Sequence, residues 1–308
     1  MLMGGVISGF GVIASIVVTG YVLGRRGSLG EHGRDVLTRL AFQVASPALL
    51  FSTVARADLS VLLSVPMLIT GLSTFVVAGT FIAVGAVRRW SVGRTTIGAL
   101  CSSYVNSGNL GIPVAMYVLG DASLIAPVLL FQQLVVSPIA LTVIDLSRCE
   151  ERPSLLRRLT SPVRNPVVAG SLSGVVVAAA GWRIPGPVME PVSLLGGMAV
   201  PGVLLAFGIS LPGSTLLGRG EDRAAVLLSV ALKSFAQPLV AWAIAAGVFG
   251  LGGAALFAAV VTSALPAAQN LFTYAVRYQT ATRLARESIL LSTFLAAPVL
   301  LTVTALLG

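Results

Sequence analysis

Charged residues are scarce in this chain of 308 residues: Asp, Glu, Lys and Arg make up 10% of it, whereas hydrophobic residues make up 56%. A water-soluble protein of this length cannot bury that much apolar surface, and a mean hydropathy of +0.95 agrees with a lipid environment. Apolar runs near the bilayer-spanning length of about 20 residues recur along the whole sequence. The sequence therefore predicts an all-α polytopic membrane protein with ten transmembrane helices. The predicted spans are residues 4–24, 36–55, 61–87, 95–119, 122–146, 165–182, 188–211, 224–249, 252–276 and 287–307.

Residue types that build catalytic and metal centres are also rare. The one histidine, His32, lies in a polar connection, and Cys101 and Cys149 lack the paired spacing of a disulfide or a zinc site. No His-Glu-x-x-His motif occurs, and no acidic residue lies deep within a predicted span. We therefore predict that the protein is not an enzyme and binds no metal or cofactor. The lack of buried carboxylates also disfavours a sodium site, with coordination by neutral oxygens as the alternative.

The positive charges that are present alternate along the chain. Of the 20 Lys and Arg residues, 17 lie in or beside the odd-numbered connections between predicted spans, and only Arg56 and Arg183 lie in the even-numbered ones. Cytoplasmic loops carry such an excess, so both termini are predicted to be extracytoplasmic. We expect the protein in the cytoplasmic membrane, where lipid and not nucleic acid is the partner of its net charge of +9. No basic residue precedes the first run, which predicts a retained helix and not a cleaved signal peptide.

Four prolines in the predicted spans are spaced as a duplication would space them. Pro47 and Pro113 are 66 residues apart, and Pro201 and Pro266 are 65 residues apart. The offset between equivalent prolines is 154 residues in one pair and 153 in the other. A single proline kink is common in membrane helices, but matched positions favour a repeat. Because each half holds five spans, an odd number, we predict a 5+5 inverted-topology repeat.

The predicted repeat divides the chain into three parts. Residues 1–146 form the first five-helix repeat, residues 147–164 form a cytoplasmic linker, and residues 165–308 form the second five-helix repeat. The linker is the longest polar stretch of the chain and carries charges of both signs, which is typical of a segment at the membrane surface. Nothing in the sequence suggests a separate soluble domain.

A polar segment interrupts the fourth predicted span. Gly108, Gly111 and Pro113 weaken helical structure within six residues, and the proline removes a backbone donor. Backbone groups freed at membrane depth need partners or a wet cavity, and the positive end of a half-helix beginning near Pro113 would favour an anion. The alternative interpretation is a kink whose polar side chains satisfy only their own backbone. The predicted substrate ligands of this segment are Asn106, Ser107 and Asn109.

An equivalent polar segment interrupts the ninth predicted span at Pro266. Gln269 and Asn270 follow the proline and offer two amides, which bind carboxylate oxygens or neutral polar groups. Tyr274 lies four residues after Asn270, on the same helix face, and completes the predicted substrate ligands of this half. Tyr278, one turn further, is interpreted as an interfacial anchor. Together the two segments predict that helices 4 and 9 are broken and cross at the substrate site.

Lys233 is the single lysine of the chain and lies near the middle of the eighth predicted span. An ionisable group at that depth costs about 3 kcal/mol or more unless it faces a cavity or a partner, so it indicates a functional role. Because no acidic residue lies at that depth, Lys233 is either uncharged or has the substrate as its partner. We predict that it supplies positive charge, either directly to the anionic substrate or as a substitute for a coupling cation beside the crossing. A structural hydrogen bond to carbonyls of the broken helices is the alternative.

These motifs together resemble those of prokaryotic members of the auxin efflux carrier family. The resemblance covers essentially the whole chain. Plant PIN-formed carriers and bile acid sodium symporters share the broader fold, but this chain lacks the long central loop of the former and the acidic sodium ligand in helix 9 of the latter. Those differences argue against auxin and bile acid as substrates, and the resemblance to the bacterial members of the family implies a small organic anion such as malate or malonate. The motifs are SPALLF at 46–51, NSGNLGIPVA at 106–115, the lysine before a proline in helix 8, and ALPAAQNLFTYAVRY at 264–278.

The resemblance implies how the helices divide the work. Helices 1, 2, 6 and 7 would form a scaffold that makes a homodimer through helices 2 and 7, and helices 3–5 and 8–10 would form a transport domain that moves like an elevator. In the plant carriers an asparagine of helix 4 contacts the carboxylate, for which Asn106 and Asn109 are the matching candidates. The sequence thus predicts a secondary active transporter of a small carboxylate. A sodium-coupled symporter and, less favoured, a non-transporting membrane sensor are the alternatives, and direction and coupling ion stay open.

Overall fold

The computed structural model describes residues 2–30, 32–57, 64–120, 122–148, 165–212 and 222–308. Within these ranges all regular secondary structure is helical, as the sequence predicts, and strand-like pairing is limited to one isolated bridge between Val105 and Ala267. Of the predicted linker 147–164, only the first two residues belong to the described part of the chain. Cys149 therefore lies outside it as well.

The helices follow one another with short connections, and several are joined end to end by π-helical turns. The α-helices are α1 (Leu2–Arg26), α2 (Gly33–Leu40), α3 (Ser46–Val54), α4 (Val65–Val87), α5 (Val92–Ser103), α6 (Ile112–Val114), α7 (Ala126–Phe131), α8 (Ser137–Ser147), α9 (Pro166–Ala179), α10 (Gly186–Gly197), α11 (Ala199–Ile209), α12 (Arg223–Ala231), α13 (Gln237–Ala243), α14 (Gly253–Ser263), α15 (Asn270–Arg277) and α16 (Thr282–Leu307). The π turns are Ala41–Ala45, Ser107–Gly111, Ala115–Leu119, Gln132–Val136, Leu232–Ala236 and Ile244–Val248, and a 3₁₀ turn covers Ala122–Ile125.

Six helical segments in the described ranges are long and apolar enough to cross a membrane. Most of them combine consecutive α-helices into one span, and α9 and α14 are apolar but shorter. The structure therefore shows a polytopic helical protein, while the ten-helix 5+5 arrangement stays a prediction. The six segments are Gly33–Val54, Val65–Val87, Ala126–Ser147, Gly186–Ile209, Arg223–Val248 and Thr282–Leu307.

The fourth predicted span is interrupted earlier than the sequence suggests. α5 ends at Ser103, residues 104–106 are not helical, and winding resumes at Ser107, six residues before Pro113. The expectation of a half-helix beginning near Pro113 is therefore corrected: Gly108 and the residues around it are wound into a π turn, and Pro113 lies in the first turn of α6.

The ninth predicted span is interrupted where the sequence places the break. α14 ends at Ser263, and α15 begins at Asn270. Pro266 lies inside the gap and cannot donate the hydrogen bond that would continue α14. Both interruptions thus leave half-helices that end or begin inside the apolar part of the chain.

Glycines allow two helix pairs to approach backbone to backbone. α1 packs against α11, and α3 packs against α9. A Cβ added at Gly208 would collide with the carbonyl of Val17, and one added at Gly170 would lie 2.8 Å from the Cα of Pro47. Small residues at helix contacts permit such approach in membrane proteins.

The remaining long helices pack among themselves around the interruptions. α4 lies against α5 and α13, α12 lies against α5 and α16, and α14 lies against α13 and α16. The largest cluster of buried apolar residues includes side chains of α5, α8, α12, α15 and α16. Both interruptions are therefore held in place by packed helices and not by loops.

Candidate functional site

The two helix interruptions contact each other through their backbones. The N–H of Asn106 donates to the carbonyl of Pro266 at 2.8 Å, and the N–H of Ala268 donates to the carbonyl of Tyr104 at 3.3 Å. These bonds flank the isolated bridge described above. Each interruption frees backbone groups at a depth where water is scarce, and the other interruption supplies partners for them.

Neighbouring helices support this crossing from both sides. The side-chain amide of Gln132, in the orientation that satisfies both of its ends, pairs with the N–H and the carbonyl of Val105 at 2.9 Å each. The hydroxyl of Ser292 accepts the N–H of Ala267 at 3.2 Å. No sequence motif predicted a role for Gln132 or Ser292. The signal that could have indicated them is a polar residue inside an apolar span.

Three of the predicted amide ligands converge on one another. Gln269 accepts hydrogen bonds at its Oε1 from the Nδ2 of Asn106 at 2.7 Å and the Nδ2 of Asn109 at 3.2 Å. Asn106 also caps the helical segment that begins at Ser107, because its Oδ1 accepts the N–H of Asn109 at 3.3 Å. Asn106 and Gln269 are each 2% exposed, whereas Asn109 is half-buried. Asn106 and Gln269 thus hold the crossing together, and Asn109 is the member of the group that is free to meet a ligand.

A cavity of about 270 Å³ lies beside the crossing. The structure brings five of the seven predicted substrate ligands to it, while Gln269 stays behind Asn106 and Lys233 lies elsewhere. Both interruptions contribute to its wall, and α3, α7 and α11 complete it. Its polar lining consists of Asn106, Ser107, Asn109, Asn270 and Tyr274 together with Ser46, Thr53, Tyr104, Gln133 and Ser137, and its apolar lining includes Leu49, Leu50, Ile112, Leu129, Val200 and Val203.

The electrostatics of the cavity favour an anion. The helical segment that starts at Ser107 and the helix α15 that starts at Asn270 both begin at its wall, so the positive ends of two helix dipoles lie beside it. The residues described around the cavity carry no formal charge, so no carboxylate opposes an incoming anion. The Nδ2 of Asn270 donates to the hydroxyl of Tyr274 at 3.3 Å, while the buried oxygens of Asn270 and Gln133 have no hydrogen-bond partner in the described residues. Those acceptors suit a hydroxyl or a protonated carboxyl group on the same ligand.

Lys233 does not line the cavity. Its side chain is fully buried, and its Nζ donates to the carbonyl of Ser263 at 2.9 Å and to the Oε1 of Gln237 at 2.6 Å. Gln237 in turn donates from its Nε2 to the carbonyl of Ser103 at 2.7 Å. Ser103 and Ser263 are the last residues of α5 and α14, so one lysine–glutamine pair binds the C-terminal ends of both half-helices.

This placement separates the hypotheses for Lys233. Lys233 makes no contact with the candidate cavity, and its bond to the carbonyl of Ser263 is the hydrogen bond to a broken-helix carbonyl that the sequence left as the alternative. Its Nζ lies where the negative ends of two helix dipoles converge, which is where a positive charge would be stabilised. Gln237 is the partner that the sequence analysis missed. It follows Lys233 by four residues, so the helical spacing places both side chains on one face.

Tyr278 differs from its sequence interpretation as an interfacial anchor. Its side chain is 6% exposed, and its hydroxyl accepts a hydrogen bond from the Nδ2 of Asn165 at 2.8 Å. The aromatic ring also packs edge-on against Phe42, with ring centroids 6.1 Å apart. Tyr278 therefore packs against protein and is not an interfacial anchor.

The fold and the cavity define the class: a multi-pass membrane protein whose discontinuous helices meet beside a small cavity. A family model described as membrane transport protein matches residues 11–304, which is nearly the whole chain. The chain therefore belongs to this family of membrane transporters, the auxin efflux carrier family, and the resemblance inferred from its motifs is confirmed.

Two prokaryotic proteins are similar to the chain along most of their own length. One, from Methanothermobacter thermautotrophicus, carries the name "Uncharacterized transporter" and is 29% identical over 290 residues, which cover 91% of each chain. Another, from Rhizobium meliloti, carries the name "Putative malonate transporter" and is 26% identical over 308 residues, which cover 95% of this chain and 92% of that protein.

Proposed function

We propose that the protein is a secondary active transporter that carries a small organic anion, a carboxylate, across the cytoplasmic membrane. The observation that carries the proposal is the cavity at the crossing, where two helix N-termini and the amide of Asn109 face a space without a carboxylate. The described site residues offer no pairing of a nucleophile with a base, so binding and release, not bond cleavage, is the chemistry that the site supports.

The size and lining of the cavity support a small substrate. A volume of about 270 Å³ lies just below the range of ligand pockets, which begins at about 300 Å³. The amides and Tyr274 lie on the side of the crossing, while α3 and α11 contribute mainly apolar side chains such as Leu49 and Val203. A short dicarboxylate suits such a space, and the name of the Rhizobium relative points to the same class.

We propose further that the ten spans form the 5+5 inverted repeat and move as an elevator. The packing supports this division, because α1 lies against α11 and α3 lies against α9 and α10, while the helices around the interruptions pack among themselves. The cavity lies between the two groups, with α3 and α11 on one side and the crossing on the other. A movement of one group past the other would expose the cavity to each side of the membrane in turn.

Lys233 bears on the coupling ion. Inverted-repeat carriers place sodium where carbonyls of unwound helices and the C-terminal ends of half-helices meet. In this protein the ammonium of Lys233 holds that position and already binds the carbonyl of Ser263. We therefore propose that no sodium ion binds at this point during transport, because the charge of Lys233 takes the place of the ion.

Transport of radiolabelled malonate into proteoliposomes tests the proposal. We expect uptake that is saturable, that other short carboxylates inhibit, and that an inward sodium gradient does not stimulate. Stimulation by sodium would replace the proposal with a sodium-coupled symporter. Binding of malonate or malate to the purified protein without flux would support the sensor alternative, and the absence of flux for a panel of mono- and dicarboxylates would refute the carrier.

A further inference from the structure

A second, larger pocket lies in line with the substrate cavity. It has a volume of about 590 Å³, and two helices form most of it: α2 with the π turn after it, and the last turn of α15. The same two helical segments continue into the substrate cavity, through Ser46 on one side and through Asn270 and Tyr274 on the other. Asn270 lines the substrate cavity, and Arg277 lines the second pocket. The two residues are seven positions apart, or about 10 Å along the helix. The pocket lining is Arg34, Asp35, Thr38, Arg39, Gln43, Val276, Arg277, Gln279 and Thr282.

The charge of this second pocket is positive. Arg34 is neutralised by Asp35, which it contacts at 2.9 Å. Arg39 and Arg277 are exposed, and neither forms an ion pair with a carboxylate in the described part of the chain. Two guanidinium groups facing one concave space raise the local concentration of anions, and each can bind a carboxylate in a bidentate way.

Two aromatic rings in contact lie on the helical segments that lead from one pocket to the other. Phe42 is 2% exposed and packs edge-on against Tyr274, with ring centroids 6.1 Å apart. Tyr274 lines the substrate cavity, while Arg277 lies with its guanidinium carbon 5.7 Å above the ring of Phe42 on the other side. Phe42 belongs to the π turn Ala41–Ala45, an irregularity that gives the helix local freedom to repack.

From this arrangement we infer that the second pocket is an anion-binding vestibule, and that Phe42 and Tyr274 form the gate between it and the substrate cavity. Arg39 and Arg277 gather the carboxylate anion, and displacement of the Phe42 ring admits it to the cavity. The inference rests on the proposed function for the identity of the anion, but the charge selectivity and the gate can be measured without transport. The charge pattern of the chain predicts that this mouth faces the cytoplasm.

The test of the vestibule uses Gln43→Cys as a reporter, in a protein whose Cys101 and Cys149 are replaced by alanine. Modification by an anionic methanethiosulfonate is compared with modification by a cationic one, in phosphatidylcholine vesicles. We expect the ratio of the two rates to fall about tenfold in the double variant R39Q/R277Q, because a charged cleft enriches counter-ions by that factor or more. The matched control R26Q/R88Q removes the same charge from exposed positions outside the pocket and should leave the ratio unchanged.

Two outcomes would overturn the vestibule. One is a ratio that the R39Q/R277Q variant does not change, or that the R26Q/R88Q control changes equally. The other is loss of the preference for the anionic reagent when phosphatidylglycerol is added to the vesicles, which would assign the pocket to a lipid headgroup.

The gate is tested with a second reporter, Ser46→Cys, which lies in the substrate cavity beyond Phe42. We expect Phe42→Ala to raise its rate of modification about tenfold, while Phe75→Ala, which removes a ring from the exposed face of α4, should not. An unchanged rate after Phe42→Ala would refute the gate. If the protein with its native residues transports no carboxylate, the proposed function fails, whereas the two reporters still decide on the vestibule and the gate.

Discussion

Lys233 shows how one side chain can determine the geometry of a site that it does not touch. It binds the carbonyl of Ser263 and, through Gln237, reaches the carbonyl of Ser103. We expect Lys233→Met to weaken malonate binding at least tenfold, about 1.4 kcal/mol, because the carbonyl of Ser263 loses its donor and Gln237, which holds the carbonyl of Ser103, loses the partner of its own Oε1. Lys233→Arg should not restore binding, since a planar guanidinium does not fit a site built for a point charge. Calorimetric titration of the purified variants measures both effects.

The control for this prediction is the next residue in the chain. Ser234 is buried, and its hydroxyl has no hydrogen-bond partner in the described residues, so Ser234→Ala should bind malonate like the parent protein. Equal binding by Lys233→Met and the parent at neutral pH would show that the lysine has no electrostatic role in the site.

Asn106 and Asn109 are expected to separate stability from binding. Asn109→Ala should weaken anion binding about tenfold with little change in melting temperature, because Gln269 keeps its shorter bond to Asn106. Asn106→Ala removes a buried hydrogen bond and a helix cap, and should cost about 1–3 kcal/mol of stability. Melting curves recorded with and without malonate distinguish the two effects. The same drop in melting temperature for both variants would contradict the division of roles.

The sequence could predict polar residues as candidate ligands, but it could not predict the side chains that hydrogen-bond to the backbone of the interrupted helices. Polar residues next to a proline in an apolar span are conspicuous, so Asn109, Asn270 and Tyr274 are predicted as ligands from the sequence, and all three line the candidate cavity. Gln132 and Gln237 carry no comparable local signal, because each bonds to a residue far away in the chain. Such contacts depend on how the helices cross, and spacing along the chain does not contain that information.

At the scale of helices, the contact between α1 and α11 depends on the absence of side chains. A Cβ at Gly208 would meet backbone atoms of Val17, Gly20 and Tyr21, which cannot move aside. Gly208→Ala is therefore expected to destabilise the protein by about 1–3 kcal/mol through overpacking. Gly202→Ala in the same helix is the matched control, because its nearest neighbour would be the Cβ of Ala41 at 3.9 Å. Thermal unfolding in detergent should show a loss of stability for Gly208→Ala alone.

The positions of the two helix interruptions depend only in part on the local sequence. Pro266 has no backbone N–H to continue the hydrogen bonds of α14, and the second interruption lies at this proline. Pro113 carries the same penalty, yet the chain unwinds at 104–106 and places this proline inside the first turn of a new helix. The position of the first gap is set by its pairing with the second, through Asn106 and Pro266, and not by its own glycines and proline.

At the scale of the whole molecule, the alternation of positive charge predicts the orientation in the membrane. The residues around position 154 are expected to face the cytoplasm. In a protein lacking its native cysteines, Ser154→Cys should react with an impermeant maleimide in inverted vesicles and not in intact cells. Reaction in intact cells, with none in inverted vesicles, would reverse the topology and with it the side on which the vestibule opens.

The last prediction concerns the association of two copies. The proposed scaffold presents large apolar side chains to its surroundings at Leu194 of α10, which is 71% exposed, and at Val36 of α2, which is 60% exposed. Lipid alone can cover such a surface, so exposure does not by itself indicate an interface. Leu239 of α13, 64% exposed on the proposed transport side, provides a position of equal exposure for comparison. If the scaffold dimerises through helices 2 and 7, oxidation in membranes should link Leu194→Cys into a disulfide-bonded dimer and leave Leu239→Cys monomeric, as measured on non-reducing gels. A helix that moves like an elevator has to remain free of such a contact, so cross-linking at Leu239→Cys alone would assign the fixed and the moving groups the other way round.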